Sequence, residues 1–265
     1  MAGSRARAVR NIPMELHLIL LMITGVVAGF MNVMAGGGSL LTLPVMLEFL
    51  GMEAPLANGT NRVAIEAGAV NAVWGFRRQG FSDFNLSLTL ALCAVPGAFV
   101  GAKLGCQLEG VLFRQILAGV MIAVMILMAW NKKKGHQATE RIAPTRTRLI
   151  IAHLCMVGVG FYGGIIQVGV GFILITVLDK VLGLDLLRVN IHKVFIVAVY
   201  TVVALSVYAR QGYVAIVPGV ALAGGAAAGS WIGAHFAVQK GDRLIRICLN
   251  LALVGLVMKL LLSPG

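Results

Sequence analysis

Charged residues are scarce in this chain: they make up 12% of its 265 residues, whereas soluble domains average about 25%. Only 10 residues are acidic. This scarcity excludes an ordinary soluble domain, and the 59% share of hydrophobic residues with a mean hydropathy of +0.92 indicates a polytopic membrane protein. The net charge of +12 does not indicate nucleic-acid binding, because Lys and Arg lie in short loops beside apolar segments, as the positive-inside rule predicts.

The chain also has few groups that carry chemistry. Its four cysteines, at positions 93, 106, 155 and 248, show no CxxC spacing, so neither a zinc site nor a disulfide framework is predicted. No nucleotide-binding fingerprint is present, and the histidines are scattered. We therefore expect no catalytic residue, metal or cofactor. The basic N-terminus precedes an apolar segment without a convincing cleavage site, so the first span is predicted to be retained.

What the chain does contain is two long apolar segments interrupted by glycine. The segment from Glu15 to Leu50 would extend about 50 Å as one helix, longer than a membrane core of about 30 Å. Gly36, Gly37 and Gly38 therefore predict a break into two half-helices, or into a helix and a re-entrant piece. The second segment, from Leu149 to Leu178, is interrupted around Gly169.

The two segments belong to two copies of one unit. With one single-residue gap, an offset of 132 carries Gly51, Asn58, Arg78 and Gly97 onto residues of the same type. The predicted fold is an all-α membrane protein, a polytopic helical bundle of about eight spans in two duplicated halves with glycine-broken helices. Its parts are a first transmembrane repeat (1–130), a basic cytoplasmic linker (131–148) and a second transmembrane repeat (149–265). Secondary transporters often use this plan, with the binding site at the breaks.

The remaining spans are predicted near 62–76, 86–106, 111–130, 190–208, 214–238 and 244–262. If each broken segment crosses once, both termini lie on one side. The positive-inside rule then places the termini in the cytoplasm, because the only positively charged residues of the opposite loops are Lys180, Arg188, Lys240 and Arg243. If each segment crosses twice, the halves are inverted and the linker is external. The charge bias favours the first arrangement.

Glycines also recur at every fourth position within two of these spans. They form one ridge at Gly97, Gly101 and Gly105 and another at Gly225, Gly229 and Gly233. Such ridges let another helix backbone approach closely, so we interpret them as helix-packing surfaces.

Polar residues inside spans are costly in lipid and usually face a cavity or a partner. Those at the breaks and at the predicted starts of the following helices form the predicted substrate-binding set: Gly36, Gly37, Gly38, Ser39, Asn58, Thr60, Asn61, Arg62, Gln167, Gly169, Asn190, His192 and Lys193. Helix starts attract anions, and Arg62, Lys193 and His192 add positive charge, so the pattern favours a small anionic substrate. Helix caps and interfacial snorkelling are the alternative. Glu66 can pair with Arg62 four residues earlier, while proton coupling by Glu66 or His192 is a second interpretation.

From about Leu16 to Leu262 the chain resembles the TauE/SafE family, through GFMNVMAGGGSLLTLPVML and GMEAPLANGTN. The resemblance implies a multi-pass inner-membrane transporter that exports sulfite or organosulfonates. The second copy departs from the family pattern: Gln167–Gly171 replaces a second GGG, and His192 and Lys193 replace a Thr-Ser pair. The expected partners are a small anion and the lipid bilayer, with a homodimer left open. An anion channel and a membrane-embedded non-transport protein are the other functions considered.

Overall fold

The computed structural model describes residues 14–81, 84–108, 110–130 and 145–239, and for 124–130 and 238–239 it describes the backbone alone. Within these ranges the chain is helical and has no strand. The helices, in chain order, are α1 (Met14–Met34), α2 (Ser39–Pro44), α3 (Ala54–Arg78), α4 (Asn85–Gly105), α5 (Gly110–Trp130), α6 (Arg146–Ile166), α7 (Val170–Thr176), α8 (Leu186–Arg210) and α9 (Ile216–Gln239). Helices α2 and α7 each continue into a π-helical turn, Val45–Phe49 and Val177–Val181.

Both predicted breaks are confirmed. Helix α1 ends at Met34 and α2 begins at Ser39, so the three glycines lie in the interruption. Helix α6 ends at Ile166 and α7 begins at Val170. Gly36 and Gly169 have positive φ angles of 80° and 71°, a left-handed conformation that glycine adopts without steric cost. Each long helix therefore ends next to a glycine at which the backbone can change direction.

The starts of two helices differ from the prediction. Helix α3 begins at Ala54 instead of near Arg62, and α8 begins at Leu186 instead of near Asn190. Pro55 suits the first turn of α3, where its missing N–H group is not needed. Asp185 caps α8 by accepting a hydrogen bond from the Arg188 backbone N–H at 2.9 Å. The polar residues predicted at helix starts consequently lie in later turns, where backbone N–H groups are already used.

Five described helices, α1, α4, α6, α8 and α9, are long and apolar enough to cross a membrane. Large apolar side chains such as Leu154, Ile216 and Trp231 are exposed on the outside of the bundle, where lipid would cover them. The predicted count of about eight spans stays a prediction, because α3 is 25 residues long but polar and the segment 244–262 lies outside the described residues. The linker residues 131–144 also lie outside them, and Arg146–Arg148 already belong to α6.

Helices from opposite parts of the chain pack together. The most extensive contacts join α1 to α9 and α4 to α6, and further contacts join α3 to α9, α4 to α8 and α3 to α8. The predicted glycine ridges lie in the two most extensive of these interfaces. A Cβ atom added to Gly225 would lie against the backbone of Met22 and Val26 in α1, and one added to Gly101 would lie against the backbone of Phe161 in α6. The packing role of the ridges is therefore confirmed.

Over the described residues, the elements from α1 to α4 follow the same order as those from α6 to α9. Helices α1 and α6 begin 132 residues apart, and so do α3 and α8. Their lengths also agree, at 21 residues for the first pair and 25 for the second. In the repeat, α1 corresponds to α6 and α4 corresponds to α9, so the α1–α9 and α4–α6 interfaces are equivalent. In each interface, the broken helix of one part packs against a helix of the other part.

Candidate functional site

The two breaks meet inside the bundle. Gly36, in the first break, lies so close to Gly171, at the start of α7, that a Cβ atom on either glycine would overlap the backbone of the other. At Gly37, the atoms nearest to an ideal Cβ position belong to the side chains of Leu40 and Phe172, both at 3.1 Å. The interrupted backbones are thus in direct contact, and polar side chains of α3 and α8 surround them.

Arg62 is the main polar feature of this region. It projects from α3, has no exposed surface, and donates from Nη1 to Gln167 Oε1 at 2.9 Å and from Nη2 to the Gly164 carbonyl at 2.5 Å. Its guanidinium also lies 4.6 Å from the centre of the Tyr208 ring. No carboxylate among the described residues pairs with it, and its Nε group has no hydrogen-bond partner there.

Neutral polar groups complete this cluster at the end of α6. The Asn58 amide donates to the Ile165 carbonyl and to the Tyr208 hydroxyl, both at 2.7 Å. The Gln167 amide donates to the Tyr200 hydroxyl at 2.9 Å and to the Thr201 hydroxyl at 3.3 Å. We call these six side chains the Arg62 cluster: Asn58, Arg62, Gln167, Tyr200, Thr201 and Tyr208. All six are buried.

The predicted Arg62–Glu66 ion pair is wrong. Arg62 turns toward the end of α6, because the last carbonyls of a helix have no partner within it and attract positive charge. The Glu66 Oε2 atom is buried and has no hydrogen-bond partner among the described residues. Helix α3 therefore carries a buried cation and a buried carboxylate oxygen that do not neutralise each other.

A second cluster lies at the first break. Thr42 donates to Asn61 Oδ1 at 2.6 Å, and the Asn61 amide donates to the Ser39 hydroxyl at 3.2 Å. These three residues line a cavity that also touches Asn32 and Ser230. Its volume of about 20 Å³ holds roughly one water molecule. The cavity is thus too small for an oxyanion in this conformation.

Lys193 forms the counterpart of Arg62 at the first break. Its Nζ atom donates to the Val33 carbonyl in the last turn of α1 and to Asn190 Oδ1, both at 2.7 Å, and the side chain is 1% exposed. Val33 and Ile165 are 132 residues apart. The last turn of each broken helix therefore accepts a hydrogen bond from a helix of the other part of the chain, α1 from α8 and α6 from α3. A buried cation therefore stands at both breaks.

Two predicted residues contact the starts of other helices. The Thr60 hydroxyl accepts a hydrogen bond from the Ala215 backbone N–H at 2.9 Å, directly before α9. His192 Nδ1 lies 2.6 Å from the Ser87 hydroxyl in the first turn of α4. These positions correspond in the repeat, but only the Thr60 contact is with a backbone N–H group, so the helix-cap interpretation is supported for Thr60 alone.

The prediction from sequence does not include Tyr200, Thr201, Tyr208 or Ser87. The three α8 residues lie on the same helix face as Lys193, seven, eight and fifteen positions after it. That spacing from a buried Lys is a signal that could have identified them. Ser87 has no comparable signal, because its contact with His192 joins residues 105 positions apart.

The chain is similar to a family of known proteins. A model of the family described as sulfite exporter TauE/SafE matches residues 21–260. Similar curated proteins include probable membrane transporter protein ORF9 of Sinorhizobium sp., 27% identical with 94% of both chains covered. Probable membrane transporter protein YfcA of Escherichia coli K12 is 28% identical over 87% of this chain and 84% of its own. A probable membrane transporter protein of Haemophilus influenzae is 25% identical over 86% and 88%. No solved structure matches the chain.

Proposed function

This chain belongs to the sulfite exporter TauE/SafE family, and from that membership and the buried charge of Arg62 we propose that it is a secondary transporter of a small oxyanion. The substrate class is sulfite, a sulfonate or a related sulfur oxyanion, exported across a bacterial inner membrane by alternating access. Curated relatives with nearly full coverage are described as probable membrane transporters, which is not an enzymatic activity.

The observation that carries this proposal is the unpaired charge of Arg62. Burying a cation without an anionic partner is costly, because the charge loses its hydration and gains only dipoles in return. Arg62 is 0% exposed and meets a carbonyl, an amide oxygen and an aromatic ring, with no carboxylate partner in the described parts of the chain. A bound anion would supply the missing charge. Substrate binding is therefore the role that best accounts for an arginine at this position.

The contacts around Arg62 also suit an oxyanion. Guanidinium groups bind oxyanions through several parallel N–H donors, and hydroxyl and amide groups add neutral donors. The hydroxyls of Tyr200 and Thr201 supply such groups around Gln167, which Arg62 contacts. Because Arg62 has no exposed surface, an anion reaches it only when neighbouring residues move. That requirement agrees with a carrier that opens alternately to the two sides.

We also propose the duplicated organisation and the eight-span topology. The offset of 132 residues in the starts of α1 and α6, and of α3 and α8, supports duplication. Both termini and the linker 131–148 lie in the cytoplasm, since Lys and Arg are concentrated on that side. Glu66 is the proposed proton-coupling residue, because its buried Oε2 atom has no hydrogen-bond partner among the described residues.

A thermal-shift screen of the purified protein tests the proposal. A ligand that binds only the folded state stabilises it by mass action and so raises the melting temperature. At a ligand concentration of about a hundred times Kd, the free energy of unfolding increases by about 2.7 kcal/mol. We expect sulfite and methanesulfonate to stabilise the protein and choline to have no effect. The Arg62→Gln variant should lose the shift, and Arg78→Gln should keep it. Arg78 is a matched control because it lies on the same helix, stacks on Trp74 at 3.8 Å and is exposed.

The second candidate function is an anion channel, which would use the same donors. The burial of Arg62 without an open path favours a carrier. Flux measurements separate the two, because a carrier saturates with substrate and shows counterflow.

A further inference from the structure

Gln167 holds an unusual backbone conformation. Its φ angle is +50°, and it is the one non-glycine residue with a positive φ in the described parts of the chain. It directly follows the last residue of α6, a position at which glycine is common because it adopts the left-handed conformation more easily. Unfavourable conformations of this kind persist at functional sites, where the side chain has a task.

The Gln167 side chain reaches into the Arg62 cluster and fills its centre. The amide oxygen accepts from Arg62 Nη1 at 2.9 Å, while the amide nitrogen donates to the hydroxyls of Tyr200 and Thr201 at 2.9 and 3.3 Å. Gln167 is only 5% exposed. Both ends of one amide thus connect α3 with α8.

Most groups around this amide can donate hydrogen bonds. Arg62 has donors only, and its Nε–H group is buried without a partner. The Tyr200 and Thr201 hydroxyls accept from Gln167, which leaves their own O–H groups to donate to another acceptor. The oxygen of Gln167 is the side-chain acceptor that Arg62 contacts in the part of the chain that the structure describes.

We propose that Gln167 is a side-chain gate over the oxyanion site, and that its amide oxygen occupies the place on Arg62 that an oxygen of the substrate takes. This inference rests on the proposed function. When the amide swings away, Arg62 Nη1 and the hydroxyls of Tyr200 and Thr201 are released together, near the Arg62 Nε group that has no partner among the described residues. They form a pocket of donors for a single oxyanion group with several acceptor oxygens, such as sulfite or the sulfonate end of a larger molecule.

A gating role of Gln167 predicts a change in substrate affinity that a purely structural role does not predict. A neutral amide that competes with the substrate weakens binding, so its removal should increase affinity. If Gln167 only caps α6 and joins α3 to α8, its removal should lower stability and leave affinity unchanged or reduced.

Two variants at this position and one control form the experiment. Gln167→Gly removes the competing oxygen and suits the positive φ angle, so the variant should remain folded. Gln167→Glu places a carboxylate on Arg62, which would act as a permanent bound anion. Gln79→Glu makes the same chemical change at an exposed residue that follows α3. Kd values for sulfite and methanesulfonate are measured calorimetrically on each purified full-length protein.

We expect Gln167→Gly to bind sulfite about tenfold more tightly than the parent, which corresponds to one hydrogen bond to a charged group. Gln167→Glu should bind at least about tenfold more weakly, and Gln79→Glu should bind like the parent. If the parent binds sulfite while Gln167→Glu binds it equally well, or Gln167→Gly binds it no better, the gate is refuted and the transporter proposal stands. If neither the parent nor Gln167→Gly binds either anion, both proposals fail.

Discussion

The substitution Gly225→Ala tests whether glycine allows α1 and α9 to approach as closely as they do. The ideal Cβ position at Gly225 lies 2.9 Å from the backbone nitrogen of Val26 and 2.9 Å from the carbonyl carbon of Met22. Favourable contacts between carbon atoms need about 3.5–4.0 Å. Since the obstructing atoms are backbone, no side-chain rotation relieves the overlap, and the helices must separate.

The neighbouring Gly224 provides the matched control. It lies on the exposed side of α9, and no atom lies within 4 Å of its ideal Cβ position. Alanine at either position gains the same helix propensity, about 0.5–1 kcal/mol. The difference between the two variants therefore isolates the overlap, for which overpacking costs of about 1–3 kcal/mol are typical.

Thermal unfolding in detergent measures this difference. We expect Gly225→Ala to melt several degrees below Gly224→Ala, since about 1 kcal/mol shifts the melting temperature by roughly 2–4 °C in a chain of this size. Gly224→Ala should melt at or slightly above the parent temperature. Equal melting temperatures for the two variants would refute the close packing of α1 on α9.

Three further predictions concern the charges and the topology. Glu66→Gln should abolish the pH dependence of methanesulfonate flux in proteoliposomes while leaving the protein folded, because the sulfonate keeps its charge near neutral pH, and a parent-like pH profile in this variant would exclude Glu66 as the proton-coupling residue. Lys193→Met should lower the melting temperature, because the Val33 carbonyl and Asn190 Oδ1 both lose a charged hydrogen-bond donor. Each such bond contributes about 1.5–3 kcal/mol. An unchanged melting temperature would show that these contacts do not stabilise the end of α1. A cysteine placed in the linker 131–148 of a variant without native cysteines should react with a membrane-impermeant maleimide only after the cells are opened, and labelling from outside would favour the inverted arrangement.

The helical class, the breaks and the packing ridges could be predicted from sequence because each depends on local composition or spacing. Gly36 and Gly169 stand next to clusters of glycine within long apolar runs and adopt the left-handed conformation at the helix ends, whereas glycine at every fourth position forms one face of a continuous helix. The start of α3 was misplaced because the polar stretch from Asn58 to Arg62 resembles a loop, although Ala54 and Pro55 already begin the helix.

The partners of the polar residues could not be predicted. Arg62 and Glu66 have the spacing of an ion pair, yet Arg62 binds Gly164 and Gln167, which lie 102 and 105 positions away. That choice depends on how α3 meets the end of α6, which sequence spacing does not encode. The Tyr200 and Tyr208 contacts were missed for the same reason, since each depends on the packing of α8 against the second break.

Counterflow of sulfite in proteoliposomes tests the central claim most directly. Vesicles loaded with unlabelled sulfite are diluted into radiolabelled sulfite, and uptake is followed for the parent, Arg62→Gln and Arg78→Gln. The account predicts a transient accumulation of label with the parent and with Arg78→Gln, and a loss of about tenfold or more with Arg62→Gln, because the anion loses its charged partner. Accumulation by Arg62→Gln at the parent rate, or linear uptake by the parent with no transient accumulation, would contradict a carrier that binds its anion at Arg62.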